Sequence, residues 1–298
     1  MSGLLQTTDL RDPVAVCAAL HAGARANLQA PCRDRSIDRL DGPAQLVATG
    51  DLHDNPLHLA RLVSAAALES DDPGAWRHLT LHELIHSDRL VNGMDFSYRV
   101  LTRVAALKAA RPQHIHVLLA NHELAQLTGS EIAKDGIRFV EAFDEALDFA
   151  FGDEAASVRQ AVRDFIRSMP IALRLGCTGG DVLCAHSLPG PERMDRFDDS
   201  ILDRDLVDED YLPRTGSVHF MMWGRNQPQE QVDALAERWG VSLFILGHEK
   251  AEAGAMALAR NAVVLNSDHD RGVYAMIDTR EAVMAESVLQ AVRPLAAG

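Results

Sequence analysis

The chain has 298 residues, 47% hydrophobic and 24% charged, a globular composition long enough for one large α/β domain. Its formal net charge of −14 argues against general binding of long nucleic acids, whose affinity comes from cationic contacts to phosphates. No apolar run reaches the length of a membrane span. The start, "MSGLLQTTDLRD", lacks the basic flank and apolar core of a signal peptide. Cys17, Cys32, Cys177 and Cys184 show no C-x-x-C spacing, so a cytoplasmic chain with free thiols is expected.

In chain order, residues 1–40 read as an N-terminal helical extension. The core, about 44–280, opens with the strand "AQLVATG" (44–50), which leaves through Gly50 into "DLHDN". Asn55 is placed to cap a helix and Pro56 to occupy its first turn. "HLTLHEL" (78–84) follows as a strand, then a helix over "FSYRVLTRVAALKAA" that stops at "RP". "HIHVLLA" (114–120) is a third strand, and residues 131–168 form a helical insertion with acidic outer faces. The strands "PIALRL", "DVLCAH", "SLFILGH", "AVVLNSD" and "GVYAMID" complete the chain. Alternation of strand and helix in the first half predicts parallel pairing. Short turns such as "GCTGGD" predict antiparallel pairing later. The expected architecture is a single α/β domain over 1–298 with mixed sheets.

"HELIH" (82–86) matches the H-E-x-x-H signature in which two histidines one helical turn apart bind Zn²⁺. Here the segment reads as a strand entering a loop. On a strand His82 and His86 would lie ~13 Å apart at ~3.3 Å per residue, too far to share one ion. The extended motif would also need Gly and His where Arg89 and Asn92 stand. A zinc protease is therefore a minor reading.

A better pattern appears at the strand ends. "VATGDLHDN" delivers Asp51 and His53, "HLTLHEL" Glu83, "VLLANHEL" Asn121 and His122, "VLCAHSLPG" His186, and "FILGHEK" His248. Sites in open α/β sheets gather at the carboxyl ends of strands. The order resembles the calcineurin-like metallophosphoesterases, whose pattern is GDxH, GDxxD, GNHE, a strand ending in His, and a late Gly-His. Within that group it resembles the serine/threonine phosphoprotein phosphatase branch, and the resemblance implies an α/β fold of two mixed sheets packed as a sandwich and flanked by helices.

The resemblance covers residues 46 to about 270 and implies two divalent metals, Mn²⁺ first, with Fe or Zn²⁺ as alternatives. It implies Asp51 and His53 on one ion, Asn121, His186 and His248 on the other, and Glu83 bridging. It implies phosphate monoester hydrolysis by a hydroxide between the metals, with His122 protonating the leaving alcohol. Arg225, after Trp223, and Arg89 are candidate phosphate clamps. The substrate would be a phosphoprotein or a small phosphorylated metabolite or nucleotide, with no membrane partner.

This chain departs from the pattern at its second motif. Gly-Asp-x-x-Asp-Arg-Gly becomes His82-Glu83-Leu84-Ile85-His86-Ser87-Asp88. Glutamate adds a methylene to the bridging carboxylate. His86 stands where an aspartate supports the catalytic histidine, and could still hydrogen-bond His122. Ala120 replaces the glycine of GNHE. These changes motivate an alternative: a metal- or phosphate-binding regulatory module with weakened catalysis.

Overall fold

The computed structural model describes residues 3–6, 8–134 and 136–296. Five strands carry the candidate site: β1 (Gln45–Thr49), β2 (His78–Leu81), β3 (Ile115–Val117), β4 (Asp181–Ala185) and β5 (Val241–Leu246). β1, β2 and β3 run parallel in a five-stranded sheet, bordered on the far side of β1 by the antiparallel Val273–Asp278 and then Val292–Pro294. β4 and β5 run parallel in a seven-stranded mixed sheet. The "GCTGGD" turn does join antiparallel strands, Ala172–Leu175 and β4.

Side-chain alternation shows why the sheets stack. In β1, Leu46 and Ala48 enter a core shared with Leu243 and Ile245 of β5. The intervening Val47, Phe244 and Leu246 face the opposite way and join the core beneath the helices. A strand apolar on both faces needs cover on both, which a sheet sandwich flanked by helices supplies.

The expected helix after β1 is α1 (Pro56–Ala65), where the Asn55 side chain accepts from the His58 N–H at 3.1 Å. Tyr98–Ala110 is also helical and stops before Arg111, as its sequence indicates. The 131–168 region contains helices Phe139–Phe151 and Ala155–Ser168. The reading of residues 1–40 as helical holds for Pro13–Gln29, but Arg33–Asp34 and Ile37–Leu40 are strands of the seven-stranded sheet. Residues 1, 2 and 7 of that expectation lie outside the described residues. Among the described residues, no helix is long and apolar enough to cross a membrane, and all four cysteines are free.

Candidate metal centre

β1 ends against a tight crossing. A Cβ on Gly50 would lie 1.8 Å from the Leu265 carbonyl oxygen, so only glycine fits. Beyond it Asp51 makes single parallel bridges to His82 and to Asn266, extending the ladder by one residue before the chain turns away. Glu83, just past β2, is held on its far side by Glu123. The Glu123 carboxylate accepts from the Leu84 and Ile85 N–H groups at 2.7 and 3.2 Å. Glu123 lies in helix α2 (Asn121–Thr128), whose first turn begins with Asn121 and His122. His186 and His248 leave β4 and β5 on the parallel pair.

These side chains meet at Glu83. Its Oε1 lies 3.1 Å from His53 Nε2 and 3.4 Å from His122 Nε2, and its Oε2 lies 3.1 Å from His186 Nε2. His186 Nε2 is in turn 2.6 Å from Asn121 Oδ1 and 3.0 Å from His248 Nδ1. Both Asp51 oxygens accept from the His248 N–H at 2.9 Å, and Asp51 Oδ1 lies 3.5 Å from His186 Nδ1. All six expected ligands are thus brought together. His53, Glu83 and His248 all have positive φ (42°, 50° and 67°), strain of the kind that persists where surrounding structure fixes a functional geometry.

The residues fit divalent cations. Two buried carboxylates lie in one pocket, and burial together with the Glu83 charge pushes the Asp51 carboxyl well up. Burial opposes ionisation of Glu83 too, yet His53, His186 and His122 hold it well below the usual range. His53 rises to about 10; burial acts against this, and the Glu83 carboxylate overrides it. Glu83 Oε2 is buried without a hydrogen-bond partner. Three overlapping groups, Asp51/His82/His186, His53/Glu83/His122 and Glu83/His186/His248, bring ligand atoms within chelating range. Carboxylate, imidazole and amide donors suit Mn²⁺, Fe or Zn²⁺.

The remaining residues divide. His122 lies beside the centre, its ring 5.1 Å from His53 and 5.2 Å from His86. His86 Nε2 bonds Gln126 Oε1 at 2.9 Å, and its ring stacks on Phe139, so it forms part of the wall behind His122. Burial and the nearby His122 lower the His86 pKa to about 3. Arg225 reaches the centre, with Nη2 3.4 Å from His248 Nδ1 and Nη1 2.9 Å from Glu249 Oε2. Arg89 is used differently: it donates to the His53 carbonyl and to Asp268, tying two loops together rather than lining the cavity. That cavity, about 550 Å³, opens over Asp51, Glu83 and His122 between Phe139 and Trp223. Lys250 also lines it; as an isolated exposed lysine it carried no sequence signal.

Residues 82–86 are not helical. His82 and His86 point to different partners, Thr49 and Gln126, which removes the zinc-protease reading. His82 was passed over as a site residue. The signal available was an imidazole standing where the resembled motif has glycine.

No curated protein matches the chain. Among solved structures, a protein serine/threonine phosphatase from Saccharomyces cerevisiae superposes with a TM-score of 0.65 at 14% identity. That match covers 96% of this chain and 94% of the other. A cold-active protein-tyrosine phosphatase of a Shewanella species superposes with a TM-score of 0.57 at 15% identity, over 90% of this chain and 85% of the other. At such identities the likeness speaks for the fold. The family model for calcineurin-like phosphoesterases matches residues 44–251, which include every residue gathered around Glu83. On that match, and with this fold, the chain belongs to the calcineurin-like phosphoesterase family.

Proposed function

We propose that the chain hydrolyses phosphate monoesters at a two-metal centre. Asp51 and His53 would hold one ion, Asn121, His186 and His248 the other, with Glu83 shared. The observation that carries this reading is the convergence of imidazoles from three strand ends and the Asn121 amide within 3.1 Å of Glu83 or His186. Bound divalent ions supply Lewis acidity, lowering the pKa of water and offsetting charge on phosphoryl oxygens.

The chain's own residues do the rest. Glu83 would be shared between the two ions, with Oε1 on the His53 side and Oε2 on the His186 side. Asp51, pinned by the His248 N–H, cannot swing out of the pocket. Arg225, at the rim, orients the phosphate through its guanidinium. His122 sits within reach of an alcohol leaving from the Glu83 side and donates the proton it needs. Phe139 and Trp223 line the approach and give it an apolar surface. The two superposed enzymes are described as protein phosphatases, which favours a phosphorylated side chain as substrate.

The test is hydrolysis of an aryl phosphate by metal-stripped protein titrated with Mn²⁺, with Asn121→Ala in parallel. Mn²⁺-dependent turnover that disappears in the variant is expected. Tight Mn²⁺ uptake without turnover would instead favour a regulatory binding module, a reading prompted by the non-carboxylate residue at His86.

A further inference from the structure

We infer that His82 is a positioning residue for the metal centre: it fixes the proton of His186 on Nδ1, leaving the His186 Nε2 lone pair to face the ion. The inference rests on the two-metal reading and adds a residue to it at a position where the resembled motif has glycine.

A backbone carbonyl sets the first proton. His82 Nε2 lies 2.9 Å from the Thr49 carbonyl oxygen. A carbonyl oxygen only accepts, so Nε2 carries the hydrogen. In a neutral ring Nδ1 is then a bare lone pair. His186 Nδ1 lies 3.2 Å from it, and two lone pairs at that distance repel, so with a cation on the Nε2 edge the hydrogen sits on His186 Nδ1. Asp51 Oδ1, 3.5 Å from the same nitrogen, is a second, longer acceptor and favours the same assignment. A hydrogen-bond chain of fixed direction results, from His186 to His82 to the Thr49 carbonyl.

At the other edge of the ring, His186 Nε2 is left as a lone pair. It faces Asn121 Oδ1 at 2.6 Å, His248 Nδ1 at 3.0 Å and Glu83 Oε2 at 3.1 Å. Electron-rich atoms converge there, an arrangement a cation satisfies. Second partners that fix the tautomer and orientation of a ligating histidine are a general device of metal sites. Usually that partner is a carboxylate or carbonyl. Here an imidazole is interposed, and the carbonyl lies one step further back.

The fold makes room for this. His82 is 2% exposed, and a Cβ on Gly247 would come within 2.5 Å of His82 Cε1 and 2.2 Å of Asp51 Oδ1. The glycine before His248 therefore serves the His82 ring as well as the Asp51 carboxylate.

The test is imidazole ¹H–¹⁵N NMR of the full-length protein with Zn²⁺ bound, with Zn²⁺ affinity measured by competition against a chromophoric chelator. Wild-type His186 should show the Nδ1–H pattern. His82→Ala should move His186 toward Nε2–H and weaken Zn²⁺ binding roughly 10- to 100-fold. A wild-type His186 protonated on Nε2 overturns the inference, and that measurement needs no variant to fold. Unchanged Zn²⁺ affinity in folded His82→Ala overturns it as well. If the tautomer and affinity behave as expected but no phosphate ester is hydrolysed, the proposed activity fails and the role of His82 stands.

Discussion

Glu83 carries a backbone cost that an aspartate in a relaxed turn would avoid: with φ at 50° and a side chain one methylene longer than the resembled aspartate, it still places both oxygens among histidines. His122 shares Oε1 with His53, and its place beside the phosphate rim makes it the proton donor of the proposed reaction. Substituting His122→Asn should therefore depend on the leaving group. We expect a loss of roughly 100-fold or more in kcat for phenyl phosphate and a much smaller loss for p-nitrophenyl phosphate, whose leaving group needs no proton. Equal losses for both esters would remove the acid role. The two arginines separate in a parallel way. Arg225→Ala should weaken inhibition by inorganic phosphate about tenfold, consistent with loss of one charge-assisted contact. Arg89→Ala should leave phosphate inhibition nearly unchanged and lower Tm, because its partners are Asp268 and the His53 carbonyl.

At the scale of elements, the strand ends were legible because each couples an apolar run to a polar exit. Gly50 and Gly247 mark two of these exits and Asn55 caps the helix that follows the first. Gly50→Ala should cost about 3 kcal/mol or more, since its Cβ would collide with backbone rather than with a movable side chain. Chemical denaturation of metal-free protein would measure it. The strand Ile37–Leu40 was not legible. "SIDRL" looks solvated, yet Asp38 is fully buried. Its carboxylate accepts from Arg33 Nε at 3.1 Å and from His116 Nδ1 at 2.7 Å, and His116 Nε2 lies 3.0 Å from His78 Nδ1. Partners 78 residues apart leave no local pattern. The carboxylate partner of Arg89, Asp268, is likewise distant in sequence, 179 residues away.

Across the whole molecule, buried imidazoles make stability depend on pH. Burial and the neighbouring His116 push the His78 pKa down to about 3, and burial lowers His116 too. Folding thus favours the neutral rings; their contribution is complete above about 6.5 and is lost as pH falls toward 3. Asp38 follows at lower pH. Burial opposes its ionisation, but His116, Lys108 and Arg33 hold its pKa at about 2. Its contribution, about 2 kcal/mol, is present above the unfolded value and lost as pH falls through about 2. Calorimetry in EDTA should show Tm falling from pH 7 to 4, with a shallower fall in His78→Gln. An equal slope in the variant would take His78 out of that account.

If Glu83 lies between two bound ions, as proposed, anomalous diffraction at the manganese edge from Mn²⁺-soaked crystals will locate them. Two peaks per chain are expected on opposite sides of the Glu83 carboxylate, one against His53 and one against Asn121, His186 and His248. A single peak, or peaks remote from Glu83, would contradict it.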